Sequence, residues 1–237
     1  GTTKIELDST GRLLIGADSG DAFNADSMLR LQRTGDRVFM QFKTDADQNS
    51  GILFGDVDDD VECAIEYEPA NQALTLSTGN NAEAMRLNSA GIVTKPLQPA
   101  VLVTKSTSQL NIAVNANTTH TFDSEVFDVG GDFASNTFTA PVTGKYLVCL
   151  QIRWQNIPTN INYIQTYLAT SNGTRYMGLF GSGADWFNND CDYYRESESA
   201  VIDMDAGDTF TVISTQSGGT QATDIGQESY LSIALLS

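Results

Sequence analysis

The chain has 237 residues, of which 30 are acidic and 13 basic, and its formal net charge is −17 at pH 7. So negative a surface repels phosphate backbones, which excludes nucleic acid as an expected partner. The length suffices for one large or two modest domains, and the 20 glycines, with abundant Thr, Ser and Asn, favour strands and turns over helices. We therefore predict an all-β protein.

The first 95 residues consist of short strand-and-turn units, two of which echo one another. Residues 5–11 and 85–91 share the pattern Leu-(Asp/Asn)-Ser-x-Gly, and residues 28–35 form a looser version. Asp or Asn opens a turn by bonding to the backbone ahead, and Gly supplies a positive φ before the next strand. Each unit is therefore predicted to be a strand that ends in a tight turn.

Further short strands are predicted at residues 38–42, 51–56 and 73–79. Segments of this kind resemble the tail fibres and fibre shafts of bacteriophages, in which such turns recur before a terminal head. The resemblance covers nearly all of residues 1–95 and implies a spacer or shaft. Because a thin, repetitive segment buries little surface by itself, winding with two other chains is a physically reasonable arrangement.

Residues 95–100, Lys-Pro-Leu-Gln-Pro-Ala, mark the predicted domain boundary. Two prolines three positions apart favour an extended, stiff connector. The predicted domains are a β-rich shaft or spacer over residues 1–95 and a head over residues 96–237.

The second half of the chain alternates more clearly between apolar and polar residues. Residues 145–154 have the period of two that is typical of a strand with one buried face. The apolar face is predicted to comprise Tyr146, Val148, Leu150, Ile152 and Trp154. Further strands are predicted at residues 161–170, 200–204, 209–214 and 230–236, with a turn at residues 205–208. This spacing suits a sandwich or barrel.

Three stretches in this half, residues 122–148, 204–212 and 229–236, resemble the complement-type globular head of the tumour necrosis factor superfamily. The resemblance implies a trimeric, ten-stranded jelly roll, and residues 171–199 depart from its pattern. Phe138 and Val142 are expected to pack inward, and the last strand, apolar on both faces, is expected to contact the core and neighbouring subunits. Since the chain has no collagen-like Gly-x-y stalk, immune or hormone roles are not inferred.

The three cysteines, Cys63, Cys149 and Cys191, are widely spaced and form no Cys-x-x-Cys pair. This spacing argues against a disulfide framework or a zinc site and fits assembly in a reducing cytoplasm. Cys149 is predicted to be a small core residue, whereas Cys191, among Asn and Asp, is predicted to lie on a loop.

Signatures of enzymes are scarce. His120 is the only histidine, so any Ser-His-Asp or Cys-His arrangement would have to use it, and its threonine neighbours predict a solvated or strand-edge side chain. No nucleophile elbow, phosphate-binding Gly loop or His-Glu-x-x-His motif is present. Carboxylates such as Asp56 and Asp58 are too abundant to single out a sugar-cleaving pair. We predict no catalytic residues and no enzymatic activity.

One loop has the alternating oxygen ligands of a calcium site: Asp45-x-Asp47-x-Asn49-x-Gly51, followed by Asp56. Its Gly is displaced by one position from the usual sixth place, and the flanks are strand-like instead of helical. Two interpretations stay open. The residues Asp45, Asp47, Asn49 and Asp56 bind calcium, or they form a polar hairpin loop.

The most unusual segment of the head contains four aromatic residues and an arginine among Asn and Asp: Trp186, Phe187, Tyr193, Tyr194 and Arg195. Flat rings bind the CH faces of sugars, and polar groups bind their hydroxyls, so this segment is the predicted receptor site. The alternative is that its rings pin the loop to the sandwich or to a trimer interface.

These patterns together predict a virion fibre or spike protein that is assembled in the host cytoplasm and displayed on the particle surface. A homotrimeric head would attach to a host cell-surface glycan or protein receptor, and the N-terminal side would contact other virion proteins. The alternatives are a structural decoration or trimerisation cap of a virion and a fragment of a polysaccharide depolymerase. No apolar stretch approaches transmembrane length, so membrane insertion is not expected.

Overall fold

The structure is a computed structural model that describes residues 5–7, 13–15, 29–31 and 37–237. Apart from one four-residue helix, the regular secondary structure of the described residues is β-strand, which confirms the predicted all-β class. Strands β1 and β2 pair antiparallel and β2 and β3 pair parallel in a small sheet. These strands are β1 (Ile5–Leu7), β2 (Leu13–Ile15) and β3 (Leu29–Leu31).

A five-stranded antiparallel meander follows, here called the N-terminal sheet. It comprises β4 (Ser50–Phe54), β5 (Cys63–Glu68), β6 (Ala73–Thr78), β7 (Ala82–Leu87) and β8 (Val93–Thr94). The turn between β7 and β8 forms as predicted. The Asn88 side-chain oxygen accepts hydrogen bonds from the amides of Ala90 and Ile92, both at 3.0 Å, and Gly91 has a φ of +78°.

The prediction of a strand at residues 38–42 is wrong for the single chain. Residues 37–45 have no secondary structure, and Phe39 is 79% exposed. Apolar alternation produces a strand only where a neighbouring strand accepts its hydrogen bonds, and no described strand of the same chain does so here.

The head begins at β9 and contains twelve strands and one short helix. They are β9 (Ala100–Thr104), β10 (Asn117–Thr119), β11 (Ser124–Val129), β12 (Phe133–Ala134), β13 (Thr137–Thr139), β14 (Gly144–Ile157), β15 (Ile161–Thr170), β16 (Gly173–Phe180), α1 (Gly183–Trp186), β17 (Cys191–Met204), β18 (Thr209–Gly218), β19 (Asp224–Ile225) and β20 (Tyr230–Leu235).

These strands form two antiparallel sheets that pack as a jelly-roll sandwich. The front sheet has the order β11-β9-β20-β14-β17, with β19 beside β14, and the back sheet has the order β12-β13-β18-β15-β16, with β10 beside β18. The chain crosses repeatedly between the sheets, so strands distant in sequence become neighbours. The predicted β15 matches the observed bounds, and the predicted turn at residues 205–208 closes through a hydrogen bond from the Asp208 amide to the Asp205 carbonyl at 2.9 Å.

The core lies between the two sheets and uses the predicted face of β14. Its five residues Tyr146, Val148, Leu150, Ile152 and Trp154 are each at most 2% exposed. Phe210 and Val212 of β18 face them from the back sheet and are equally buried. Burial of large apolar side chains on this scale gives one chain of the head its own hydrophobic core.

Three side chains do not lie where the sequence predicts. Cys149 lies on the outer face of the front sheet and is partly exposed, because it alternates with the buried Val148 and Leu150. Val142 is 44% exposed, because it lies in the turn before β14 and only its carbonyl is used, as acceptor of the Tyr146 hydroxyl. Cys191 is not on a loop but opens β17, since pairing with Ile157 extends that strand beyond the predicted residues 200–204.

Strand β14 runs the length of the head and defines its two ends. At the proximal end, where the chain enters from residue 99, Gly144 pairs with Met204 and the Pro99 carbonyl accepts a hydrogen bond from the Leu235 amide at 3.1 Å. At the distal end, Ile157 pairs with Cys191. At about 3.3 Å per residue, these ends are roughly 40 Å apart.

Strands β8 and β9 lie on either side of the predicted domain boundary after residue 95. The division of the chain into a shaft and a head domain stays a prediction. Within the described residues, no helix combines the length and the apolar character needed to cross a membrane.

Candidate functional site

All five predicted receptor-binding residues lie in the distal half of the head. Trp186 ends α1, Phe187 follows it, and the other three belong to the first residues of β17. Tyr194 pairs with Trp154 of β14, and Arg195 pairs with Arg153. Because side chains alternate along a strand, Tyr194 points toward the core while Tyr193 and Arg195 point outward.

The inward residues form an aromatic cluster around Phe180, the last residue of β16. The Phe180 ring centroid lies 5.1 Å from that of Trp186, 5.6 Å from that of Phe187 and 5.0 Å from that of Tyr194. Phe187 and Tyr194 are partly buried against the core, whereas Trp186 is 57% exposed. Offset and tilted ring pairs at these separations are stabilising, so Phe187 and Tyr194 anchor the segment and Trp186 presents a free ring surface.

The outward residues form a second group on the outer face of the front sheet. The Arg153 guanidinium carbon lies 4.3 Å from the centre of the Tyr193 ring, and Tyr193 is 62% exposed. Arg153 and Arg195 lie directly opposite each other, a pairing of like charges that is unfavourable by itself. Glu228 compensates for it, since its carboxylate forms ion pairs with both arginines.

The exposed residues of these two groups offer two kinds of contact to a ligand. Trp186 and Tyr193 provide exposed aromatic faces, which bind apolar sugar faces or protein side chains. Arg195, more than half exposed, provides donors for hydroxyl or carboxylate oxygens. In a chain with net charge −17, this arginine pair is an uncommon concentration of positive charge.

Three residues of this surface were missed from the sequence: Arg153, Phe180 and Glu228. The alternation in β14 predicts that Arg153 lies on the outward face of that strand. Its contact with Tyr193 and the bridging position of Glu228 depend on pairing between distant strands, for which the local pattern holds no signal.

His120 is not solvated, which corrects that part of the prediction. It follows the edge strand β10, as the strand-edge alternative predicted, but its side chain is fully buried and contacts the Trp154 ring edge-on. Its Nε2 lies 2.7 Å from the Ser214 hydroxyl, and the Thr166 hydroxyl lies 2.9 Å from the same oxygen. Threonine neighbours indicated exposure because they alternate outward, whereas position 120 faces inward.

The same buried polar network ends at Glu196. The Trp154 indole donates a hydrogen bond to the Glu196 carboxylate at 2.8 Å, and the Thr166 hydroxyl donates another at 3.3 Å. Burial lowers the pKa of His120 to about 3, with a further contribution from the positive charge of Lys105, whereas burial raises the pKa of Glu196. Among the described residues, the His120 Nδ1 has no hydrogen-bond partner, whereas a catalytic triad requires a carboxylate there. Ser214 is also fully buried.

The four calcium candidates lie in the loop before β4 and the turn after it. The Gln48 amide donates to the Asp45 carbonyl at 3.2 Å, and the Asp56 carboxylate accepts the amides of Asp58 and Asp59 at 2.8 and 3.2 Å. In the described parts of the chain, no group of three or more His, Cys, Asp or Glu side chains is close enough to hold a metal ion. Calcium binding by Asp45, Asp47, Asn49 and Asp56 stays a prediction.

Comparison with known proteins gives structural similarity without close sequence similarity. No protein-family model matches the chain, and no curated protein matches it. The globular domain of zebrafish complement 1qA is similar over 59% of this chain and 98% of its own, with 15% identity and a TM-score of 0.43. Murine APRIL at pH 8.0 is similar over 59% of this chain and 99% of its own, with 12% identity and a TM-score of 0.42.

Proposed function

We propose that this chain is a non-enzymatic attachment protein of a virion, assembled in the host cytoplasm and displayed on the particle surface. Its jelly-roll head forms a homotrimer and binds a host cell-surface glycan or protein receptor. The strand-rich residues 1–95 act as a shaft or spacer that contacts other virion proteins through the N-terminal side.

The observation that carries this proposal is the position of the two exposed rings, Trp186 and Tyr193, relative to the entry of the chain. The N-terminal region joins the head at its proximal end, beside Pro99 and Gly144, whereas Trp186 and Tyr193 lie in the distal half. A spacer that holds a head away from a particle presents its far end to a host. Exposed aromatic rings at that end are suited to recognition, because they offer large contact area at low entropic cost.

The outer face of the front sheet supports the homotrimer. Between Lys145 at the proximal end and Arg153 at the distal end, this face has an uncharged strip on β14, β17 and β20. The strip comprises Leu147, Cys149, Ser199, Val201, Ser232 and Ala234. On a chain of net charge −17, an uncharged strip of small and apolar residues suits contact with other copies of itself. Light scattering should give the mass of three chains, and a stable monomer at micromolar concentration would refute the trimer.

Receptor binding is tested by truncating the two exposed rings. Trp186→Ala and Tyr193→Ala should each weaken binding to host cells by roughly 2 kcal/mol, about 30-fold, with little change in Tm. Tyr176→Ala is the matched control, because Tyr176 is an exposed ring, 69% exposed, that lies on β16 outside the segment of residues 186–195. Tyr194→Ala should instead lower the Tm, since that ring packs against the core. Unchanged binding in both ring variants would place the receptor site elsewhere.

Incubation with host surface polysaccharide separates the proposed function from its alternatives. Binding without shortening of the polymer supports attachment. Cleavage would identify a depolymerase fragment, and the absence of both, together with unimpaired assembly of the trimer, would favour a structural decoration or cap.

A further inference from the structure

The N-terminal sheet has an apolar face that its own chain leaves open. Residues directly opposite each other on antiparallel strands share a face, and the register Ile52–Ile65–Leu76–Met85 places one apolar row across four strands. A second row, Tyr67–Leu74–Leu87–Val93, lies beside it. We call this surface the apolar face; it comprises Ser50, Ile52, Phe54, Cys63, Ile65, Tyr67, Leu74, Leu76, Met85, Leu87 and Val93.

The opposite face of the same sheet is polar. Arg86 forms ion pairs with Glu68 at 2.7 Å and with Glu83, and the register places Thr75 between Glu66 and Arg86. Small side chains on this face, Ala64, Ala73, Thr75 and Ser77, are buried, whereas the charged side chains of Glu68, Glu83 and Arg86 remain partly exposed. The sheet is therefore amphipathic, with its charged side chains on one face and large apolar side chains on the other.

Side-chain exposure confirms that the described chain does not cover the apolar face. Ile52 is 38% exposed, Tyr67 is 44% exposed and Phe54 is 50% exposed. The described residues just before β4 do not pack there either, since Phe39 and Phe42 are 79% and 49% exposed. A two-layer packing, which a sheet needs in order to bury its apolar side, is thus missing within this part of the chain.

The uncovered area is large enough to drive association. The exposed fractions of its large side chains correspond to roughly 600 Å² of apolar surface, at the upper limit for a monomeric protein and near the 800 Å² per partner of a standard interface.

Two observations identify further copies of this chain as the occupant. The apolar face has no charged side chain, so an equal face from another copy can lie against it without burying an unpaired charge. The sheet also leads directly into the head: the Gln98 side chain donates a hydrogen bond to the Leu235 carbonyl at 2.6 Å, beside the strip proposed to join the subunits. Chains joined at the head therefore bring their N-terminal sheets close together.

We propose that the apolar faces of three N-terminal sheets pack against one another, so that this region has a hydrophobic core only in the assembled protein. This inference rests on the homotrimer proposed above and adds a second interface to it. The proposal predicts an order of folding, because the head has a hydrophobic core within one chain and the N-terminal sheet does not. The head folds first, and the sheet folds upon assembly.

Adjacent residues on β4 provide a matched pair of variants. Ile52 lies on the apolar face at 38% exposure, and Leu53 lies on the polar face at 55% exposure. In the full-length chain that carries Cys149→Ser and Cys191→Ser, Cys63 is the one remaining thiol. It lies on the apolar face, so its reactivity reports whether that face is covered. In the assembled protein and in Leu53→Asp, maleimide should label Cys63 at least about tenfold more slowly than in the unfolded chain. In Ile52→Asp this protection should be lost.

The head provides an internal check on folding, because both tryptophans, Trp154 and Trp186, belong to it. Tryptophan fluorescence and the trimeric mass should be unchanged in Ile52→Asp. A trimeric parent protein whose Cys63 reacts as fast as in the unfolded chain would refute the sheet interface alone. A monomeric parent protein would refute the homotrimer and, with it, this inference.

Photocrosslinking identifies what lies on the apolar face. Tyr67, which lies on the apolar face and is 44% exposed, is replaced by p-benzoylphenylalanine in the full-length chain, and the assembled protein is irradiated. The expected products are covalent dimers and trimers of the chain, with the crosslink mapped to residues 50–94 of another copy. Crosslinks within one chain to residues 1–36, or no product between chains, would overturn the proposal.

Discussion

Acid should destabilise the head through its one histidine. The pKa of folded His120 is lowered by burial from 6.5 to about 3, so between these values the unfolded chain binds a proton that the folded chain does not. The free energy of unfolding therefore falls as the pH falls through this window, by about 1.4 kcal/mol per pH unit. Between pH 6.5 and 4.5 the loss due to His120 is about 2.3 kcal/mol, because the unfolded histidine is already half protonated at pH 6.5.

The measurement is urea unfolding followed by tryptophan fluorescence, at a fixed chain concentration because unfolding of an oligomer depends on it. His120→Gln keeps a polar side chain and removes the titration, so its free energy of unfolding should fall by about 2.3 kcal/mol less than that of the parent over the same pH range. Burial raises the pKa of Glu196, so above pH 4.5 this residue makes the free energy of unfolding rise as the pH falls, opposite to His120. Glu196 is present in both proteins. The difference between them thus isolates the histidine.

Ser214→Ala is the control for the hydrogen bond as distinct from the charge. It removes the partner of His120 Nε2 and should cost about 1 to 3 kcal/mol at every pH while keeping the pH dependence of the parent. Identical pH dependence in the parent and in His120→Gln would show that the buried histidine does not control acid stability.

Two further predictions concern packing in the head. Phe138→Ala should lower the free energy of unfolding by about 3 to 5 kcal/mol because Phe138 is fully buried, whereas Val142→Ala, at a 44% exposed position, should change it by less than about 0.5 kcal/mol in the same urea titration. Equal effects would contradict the observed placement of these two side chains. Gly178→Ala should lower the Tm strongly, because its Cβ would lie 1.7 Å from a Glu196 carboxylate oxygen, whereas at Gly181 a Cβ would meet only the Trp186 indole nitrogen at 3.4 Å. A Gly178→Ala variant as stable as Gly181→Ala would show that Glu196 does not occupy this space.

Much of the fold could be predicted from the sequence, because its signals are local. The alternation from Tyr146 to Trp154 specifies which side chains share a face of β14, and all of them are buried. The turns at residues 88–91 and 205–208 follow from Asn, Asp and Gly, whose preferences act over a few residues. The same alternation places Cys149 on the outer face with Leu147 and Gln151, so its assignment to the core did not follow the strand period and was wrong.

The sequence could identify the segment that holds the candidate residues, but not the directions in which their side chains point. Its composition singled out Trp186, Tyr193 and Tyr194, but pairing of β17 with β14 decided that Tyr194 packs inward and Tyr193 lies under Arg153.

The burial of His120 likewise depends on Ser214 and Trp154, which are distant in sequence and meet only when the two sheets close. Local patterns in the sequence thus predict many of the strands and turns and the residues that share a strand face. The tertiary structure decided which faces are covered, because burial is a property of two surfaces in contact, and in the N-terminal sheet the second surface lies outside the described residues of the single chain.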